Sequence, residues 1–214
     1  MVVSDRGILL VGGGGHCQSV LDSLLTIHST EEIGIVDIDD HSVCGAPWVG
    51  TDQDLPQLFR KGWRRAVVTL GSVGDSSKRM TVFKKLREIG FVLPSIVDAS
   101  AVVSRYAMIG QGVFVGKKAC VNAAAFVGDG AILNSGSIVE HDAVLGQFVH
   151  ISPGAVLCGA VQVGDFTHVG ANATVIQGVR IGSSVMVGAG SVVLRDIASY
   201  AVAYGNPCRE VNNR

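Results

Sequence analysis

Three histidines near the middle of the chain have the context of catalytic or ligand-binding groups. His141 lies between Glu140 and Asp142. A neighbouring carboxylate can hold one imidazole nitrogen and make the other a better proton acceptor. His150 follows nine residues later, and His168 follows His150 by eighteen. We expect general-base chemistry at His141, although a solvated surface histidine beside two acids would have the same local sequence.

Four consecutive glycines, Gly12–Gly15, precede His16 near the start of the chain. Gly7–Val11 is predicted to be a buried strand, and the apolar spacing from Cys17 to Ile27 is typical of a helix. Glycines between a strand and a helix N-terminus let backbone amides approach an anion. Their order differs from the GxGxxG dinucleotide fingerprint. We therefore favour a phosphate or sugar nucleotide over NAD, with a ligand-free tight turn as the alternative.

Further predicted elements complete a small α/β domain. Ile33–Val36 and Arg65–Leu70 are predicted strands, and a second amphipathic helix ends at Gly90. Asp37, directly after the second strand, is well placed for ribose hydroxyls or a base edge, with a solvated acidic turn as the alternative. Residues 1–94 are thus predicted to form a βαβαβ, Rossmann-like domain with a nucleotide-type crevice at its strand ends.

The chain from Ala101 to Asp196 is an unbroken run of sixteen six-residue repeats. The third place is aliphatic in every repeat, and the fourth place is Gly in eight. Places one and three point to the same side of a strand, so three repeats make one triangular coil. We expect the fourth place to carry the turn, with glycine relieving an unusual φ angle. Residues 95–214 are predicted to form a parallel β-helix with a C-terminal cap, in which His150 and His168 face outward, one coil above the other.

The composition suits this fold and disfavours several partners. The chain is 48% hydrophobic and 16% charged, as a largely buried solenoid requires, and its net charge of −1 disfavours a nucleic-acid partner. No apolar run reaches transmembrane length, so no membrane partner is expected. The first residues lack the pattern of a signal peptide, and the five cysteines form no CxxC motif. We expect free thiols and a cytoplasmic location.

Two stretches resemble one enzyme family. They are NSGSIVEHDAVLGQFVHISPGAVLCG, from Asn134 to Gly159, and VGGGGHCQSVLD near the start. Both resemble the sialic acid O-acetyltransferase and nucleotide-amino-sugar N-acetyltransferase family, which belongs to the hexapeptide-repeat acyltransferases with a left-handed β-helix. The resemblance covers essentially the whole chain and implies a left-handed coil here.

The resemblance also implies roles for individual residues. His141 would be the general base, and Asp142 would tune it. The residues implied at acetyl-CoA are His150, Gly159, Ala171, Gly188 and Ala189. The residues implied at the sugar substrate are Gly14, Gly15, His16, Asp37, Gly71 and Asn134.

The expected reaction is direct acetyl transfer from acetyl-CoA to the 4-amino group of a nucleotide-linked deoxy-amino sugar, without a metal. O-acetylation of sialic acid or another sugar hydroxyl is the alternative, and the nucleotide (UDP, GDP or dTDP) stays open. His141 and His150 belong to different corners of the prism, so we expect a homotrimer whose active sites are shared between subunits.

Two other functions are weighed against this one. A metal-dependent hydratase on the same solenoid would need three histidines that converge on Zn²⁺, and the spacings of nine and eighteen disfavour it. A non-catalytic sugar-nucleotide sensor or scaffold is the other function, and His141→Asn would distinguish it from an enzyme.

Overall fold

The computed structural model describes residues 6–211, so residues 1–5 and 212–214 of the two predicted domains lie outside the described part. The described residues divide into two compact units, 6–71 with 77–96 and 72–76 with 97–211. The sequence placed the boundary after residue 94. The structural division falls after residue 96 and assigns the short segment 72–76 to the second unit.

The first unit is a four-stranded parallel sheet with helices. Its strands are β1 (Ile8–Val11), β2 (Ile33–Val36), β3 (Trp48–Gly50) and β4 (Arg65–Val68). Its helices are α1 (Gly15–Leu24), α2 (Leu55–Arg60) and α3 (Ser77–Ile89), and a 3-10 turn spans Thr30–Glu32. The strand order is β3-β2-β1-β4, with every pair parallel.

This arrangement confirms the Rossmann-like prediction and adds β3 and α2, which were not predicted. Strands β1 and β2 are buried along their whole length. Helix α3 ends as expected at Gly90, whose φ of 105° is accessible to glycine at little cost. Because all four strands run in one direction, their carboxyl ends share one edge of the sheet, where a ligand crevice is expected.

The second unit is a parallel β-helix of short strands. In chain order they are β5 (Ile96–Val97), β6 (Val102–Val103), β7 (Met108–Ile109), β8 (Phe114–Val115), β9 (Cys120–Val121), β10 (Phe126–Val127), β11 (Ile132–Leu133), β12 (Ile138–Val139), β13 (Val144–Leu145), β14 (His150–Ile151), β15 (Val156–Leu157), β16 (Gln162–Val163), β17 (His168–Val169), β18 (Thr174–Val175), β19 (Arg180–Ile181), β20 (Met186–Val187), β21 (Val192–Val193), β22 (Val202–Gly205) and β23 (Cys208–Val211).

The strands stack into three sheets, one for each face of the prism. One sheet has the order β7-β10-β13-β16-β19, the second has β6-β9-β12-β15-β18-β21, and the third runs from β5 through β8, β11, β14, β17 and β20 to β22 and β23. Within the repeats, each strand pairs in parallel with the strand eighteen residues further on, as in His150 with His168. The predicted three repeats per coil are therefore confirmed.

The prism interior is filled by places one and three of the repeat. The third-place side chains of Leu133, Leu145 and Ile151 are fully buried, and first-place alanines such as Ala143 and Ala155 pack beside them. At the C-terminal end, β22 pairs with β20 and then with β23 in a hairpin around the cis Asn206–Pro207 peptide. These apolar layers drive folding because each coil buries its side chains only against its neighbours.

The fourth-place glycines have a different role from the one predicted. Positive φ angles fall at the sixth place instead, at glycines such as Gly136 (67°) and at other residues such as Asp142 (59°). At the fourth place, a Cβ on Gly128 would lie 2.6 Å from the carbonyl carbon of Gly146 in the next coil. The prediction that the fourth place carries the unusual φ is wrong, and glycine is needed there because successive coils approach closely.

Helix length also bears on membrane association. Among residues 6–211, no helix is long and apolar enough to cross a bilayer.

Candidate active site

His141 lies at the corner of the prism between β12 and β13. Its Nδ1 lies 2.8 Å from Oδ2 of Asp142, the next residue, whose positive φ of 59° forms the turn. Because a carboxylate accepts, Nδ1 carries the proton and Nε2 keeps its lone pair. The hydrogen bond that His141 donates to Asp142 is the main cause that raises the pKa of His141, and the charges of Asp142 and Glu140 act in the same direction. The pair thus presents an unprotonated, basic nitrogen at an exposed corner.

Small residues surround the His141 ring on both neighbouring coils. A Cβ on Gly159, one coil further on, would lie 2.7 Å from both Cε1 and Nε2 of His141. Ala123, one coil earlier, accepts the amide hydrogen of Asp142, and both Ala123 and Ala124 are exposed. The His141 side chain is 63% exposed, and we refer to this exposed corner, bordered by Gly159, Ala123 and Ala124, as the notch. Gly159, predicted at acetyl-CoA, lies against the predicted base.

His150 lies on the face formed by the third sheet, and its tautomer is defined by a backbone group. Nδ1 lies 2.8 Å from the carbonyl oxygen of Ser72, which can only accept, so Nδ1 carries the proton. Nε2 is then an acceptor, and Nδ2 of Asn134 lies 3.5 Å from it. No sequence pattern predicts the role of Ser72, because it lies 78 residues away from His150 in a loop outside the repeats.

His168 stacks on His150 as predicted, but it is buried. The two rings meet edge to face with their centroids 4.8 Å apart, and Nε2 of His168 lies 3.2 Å from the Ser152 hydroxyl. Segment 72–76 lies along this face, since Ser72 contacts His150 and Gly74 packs closely against Met186, one coil beyond His168. That cover explains why an outward-facing histidine is only 8% exposed.

The other residues predicted at acetyl-CoA lie at the corner that follows β17 and β20. Ala171 and Ala189 occupy the same turn position in successive coils, and Gly190 donates its amide hydrogen to the Ala171 carbonyl. Gly188 packs against Tyr204, whose Cβ would lie 2.7 Å from a Cβ at Gly188. This corner adjoins the face that carries His150.

The solenoid residues therefore form two groups. One group comprises His141, Asp142 and Gly159, and the other comprises Asn134, His150, Ala171, Gly188 and Ala189. The groups lie on different edges of the prism, since the first lies at the corner after β12 and the second at the corner that follows β11, β14, β17 and β20. A single chain does not bring the predicted base and the predicted thioester contact together.

The first unit has a crevice of about 520 Å³ at the carboxyl ends of its four strands. The residues that line it are Val11, Gly12, Val36, Asp37, Ile38, Thr51, Asp52, Gln53, Leu70 and Lys78. Of the predicted substrate residues in this unit, Asp37 lines the crevice. Gly14 and Gly15 lie beside it at the start of α1, where a Cβ would meet nothing within 4 Å, so the helix end is open to a ligand.

Asp37 holds the glycine loop in place. Its Oδ2 accepts the amide hydrogen of Gly13, and its Oδ1 accepts that of Ile38 at 2.6 Å. The buried hydroxyl of Thr69 fixes the other side of the loop by donating to the Gly12 carbonyl at 2.6 Å. Thr69 was not predicted, because a threonine at the end of a strand has no distinguishing pattern.

His16 and Gly71 lie next to each other. A Cβ on Gly71 would be 3.4 Å from Cβ of His16. Burial, with a further contribution from the charge of Arg79, lowers the pKa of His16 to about 4. The ring is therefore neutral at physiological pH, and any contact it makes with a substrate is that of a neutral imidazole.

The loop Thr51–Asp54 was missed together with β3 and α2. Pro56 in the first turn of α2 is a helix-start signal and could have revealed that helix. Strand β3 has only three residues and lacks such a signal. Among residues 6–211, no group of three or more His, Cys, Asp or Glu side chains is placed to hold a metal ion.

Comparisons with known protein families agree with the structures of both units. The sequence profile of the PglD N-terminal domain matches residues 7–86. The profile of six bacterial transferase hexapeptide repeats matches residues 160–195, and that of the hexapeptide repeat of succinyl-transferase matches residues 106–141. A comparison with curated proteins finds no significant match.

Several solved structures superpose on nearly the whole chain. PerB from Caulobacter crescentus, in complex with CoA and GDP-perosamine, is 40% identical over 96% of this chain and 97% of its own, with a TM-score of 0.91. The acetyltransferase domain of PglB from Neisseria gonorrhoeae, in complex with acetyl coenzyme A, is 34% identical over 97% of this chain and all of its own, with a TM-score of 0.90. The chain belongs to the nucleotide-amino-sugar N-acetyltransferase family.

Membership confirms the predicted fold class and the predicted enzyme class. The solenoid is a left-handed β-helix, and the protein is a CoA-dependent sugar N-acetyltransferase. WeeI from Acinetobacter baumannii, at 22% identity and a TM-score of 0.85, shares the fold.

Proposed function

We propose that this protein transfers the acetyl group of acetyl-CoA to the 4-amino group of a nucleotide-linked deoxy-amino sugar. The observation that carries the proposal is the His141–Asp142 pair, whose basic nitrogen lies in an open notch of small residues. The 40%-identical PerB structure, which holds CoA and GDP-perosamine, supports the same pair of substrates.

In the proposed reaction the sugar amine attacks the thioester carbon directly. As the C–N bond forms, Nε2 of His141 accepts a proton from the amine, and Asp142 stabilises the resulting imidazolium through Nδ1. The tetrahedral intermediate collapses with cleavage of the C–S bond, and the CoA thiolate leaves and takes up a proton. A positioned base of this kind typically contributes about 10²–10⁴-fold to the rate. No acyl-enzyme forms.

The contacts to the two substrates are proposals of the same kind. Acetyl-CoA would lie along the small-residue corner of Ala171, Gly188 and Ala189, with His150 near the thioester and Gly159 in the notch of the base. That corner fits an extended ligand because Ala171 and Ala189 carry no side chain beyond Cβ. The residues proposed to contact the nucleotide sugar are Gly14, Gly15, His16, Asp37, Gly71 and Asn134.

A complete site would need two chains. We propose a homotrimer in which His141 of one subunit faces His150 of the next, because the two residues lie on different edges of one prism. We also propose a cytoplasmic location, which the five free cysteines support.

Replacement of the base tests the proposal. His141→Asn keeps a polar group near the position of Nδ1 but removes the basic nitrogen, so kcat should fall by at least about a hundredfold while CoA binding is retained. Thiol release from acetyl-CoA would be measured with a panel of nucleotide-linked amino sugars and with sugar hydroxyl acceptors. His28→Asn, at a surface pair with Glu32, is the matched control and should keep full activity.

Three results would contradict the proposal. Unchanged turnover of His141→Asn would remove His141 from the mechanism. Turnover of sialic acid alone would show O-acetylation instead, and absence of thiol release with every acceptor would indicate a binding protein.

A further inference from the structure

The crevice of the first unit combines an apolar floor with a polar rim. Val11, Val36 and Leu70 line it, and Ile38 at its edge is 85% exposed. An apolar slot of this kind suits a planar aromatic ring, since the ring removes exposed aliphatic surface from water. The polar side chains Asp52 and Gln53 line the same crevice and supply directional groups.

The backbone that carries Asp52 and Gln53 is fixed by its own hydrogen bonds. Oδ2 of Asp54 accepts the amide and the hydroxyl hydrogens of Thr51 at 2.8 and 2.9 Å. Nζ of Lys85, on α3, donates to the Asp52 carbonyl at 2.7 Å. The two side chains are therefore presented to the crevice from a rigid loop, as specific recognition requires.

The Asp52 carboxylate has its hydrogen-bonding capacity available. No residue among 6–211 makes a hydrogen bond or ion pair with its side chain. Both oxygens of Asp37, the other carboxylate in the crevice, are already engaged by backbone amides. Asp52 is thus the carboxylate in the crevice whose two oxygens are both open to a ligand, and it can accept two parallel hydrogen bonds.

We propose that Asp52 recognises guanine, so that the nucleotide that carries the amino sugar is GDP. This inference rests on the proposed function and names the substrate class of the same site. A carboxylate can accept two parallel hydrogen bonds, and guanine offers two adjacent donors, N1–H and the N2 amino group. Uracil and thymine offer one N–H between two carbonyl oxygens, which a carboxylate repels. Gln53 can donate its amide hydrogen to O6 of the same base edge.

Lys78, on α3, also lines the crevice and adds a positive charge to it. We expect its ammonium group to meet the negative charge of the diphosphate.

Isothermal titration of the full chain with nucleoside diphosphates tests the assignment. GDP should bind at least about tenfold more tightly than UDP or dTDP. Inosine diphosphate lacks only the N2 amino group and should bind about tenfold more weakly than GDP, because one charge-assisted hydrogen bond is lost. If UDP or dTDP binds more tightly than GDP, the guanine assignment is wrong while the proposed function stands. If no diphosphate binds, the proposed function fails with it.

A change of specificity separates recognition from misfolding. Asp52→Asn should weaken GDP binding by about tenfold or more and should strengthen binding of xanthosine diphosphate, which carries an oxygen in place of the N2 amino group. Asp40→Asn, at an exposed carboxylate that does not line the crevice, is the matched control and should bind GDP like the wild type. A preference for GDP that Asp52→Asn leaves unchanged would overturn the role of Asp52.

Discussion

At the scale of single residues, the hydrogen bond between His141 and Asp142 makes activity depend on pH in a defined direction. It raises the pKa of His141, and the base works only when neutral, so activity is lost as pH falls through that raised pKa. Asp142→Asn removes the main cause of the shift. The acidic limb of the pH profile of kcat/KM should therefore move to lower pH, and the plateau rate should fall.

The measurement uses one acceptor throughout, so that the titration of the substrate amine is common to both enzymes. Glu140→Gln is the control. The charge of Glu140 is the smallest of the causes that raise the pKa of His141, so its loss should move the acidic limb less than Asp142→Asn does. If the acidic limb of the kcat/KM profile of Asp142→Asn stays at the wild-type pH, protonation of His141 does not control the activity.

Gly159 offers a second test at this scale. A Cβ there would lie 2.7 Å from the Cε1 and Nε2 atoms of His141, and the exposed ring can swing away. Gly159→Ala should therefore lower kcat by about tenfold with little loss of stability, because misplacing a reacting group reduces the rate steeply. A raised KM for acetyl-CoA with unchanged kcat would show instead that Gly159 acts through cofactor binding alone and does not position the His141 ring.

The residues of the candidate site that can be predicted from the sequence are those whose positions follow from the six-residue repeat. His141 and Asp142 are adjacent in sequence and occupy the fifth and sixth places of a hexad, so their corner position follows from the period. Asp52 and Ser72 lie in loops outside any period. Their contacts depend on how β3, β4 and segment 72–76 pack, which a local pattern does not contain.

At the scale of the repeat, the fourth-place glycines determine how closely the coils stack. A Cβ on Gly128 would lie 2.6 Å from the carbonyl carbon of Gly146, and backbone atoms cannot move away as a side chain can. Gly128→Ala should destabilise the fold by about 3 kcal/mol, at the upper end for overpacking. Chemical denaturation measures the change.

Gly178→Ala is the matched control for that substitution. Gly178 is at the sixth place with a φ of 71°, and a Cβ there would meet nothing within 4 Å. The cost should be about 1–2 kcal/mol from backbone strain alone. Equal losses for the two variants would show that coil spacing does not depend on the fourth-place glycine.

The period predicted the strands but not the purpose of their glycines. Aliphatic residues at place three define which residues face inward, and the stacking of His150 on His168 follows from the same count. A recurring glycine, however, fits either an unusual φ or a close approach. Only the packed coils distinguish the two, and they show that Lys118, Ala124 and Asp142 adopt the positive φ that was assigned to glycine.

At the scale of the whole molecule, the two groups of solenoid residues require an explanation beyond one chain. The base and its notch lie at the corner between β12 and β13, while His150 lies on β14 beside the Ala171 corner. A rotation about an axis parallel to the prism brings such edges of neighbouring copies together, and a closed ring of three repeats the same contact three times. The proposed trimer therefore completes three equivalent sites.

Subunit mixing tests this arrangement directly. His141→Asn and His150→Asn chains should each be inactive alone, and co-refolded at equal amounts they should recover activity, because some interfaces pair an intact His141 with an intact His150. Random assortment gives intact residues at about a quarter of the sites. Light scattering on the same samples should give the mass of three chains. If each site lay within one chain, mixing would restore nothing, and an active monomer would exclude the trimer altogether.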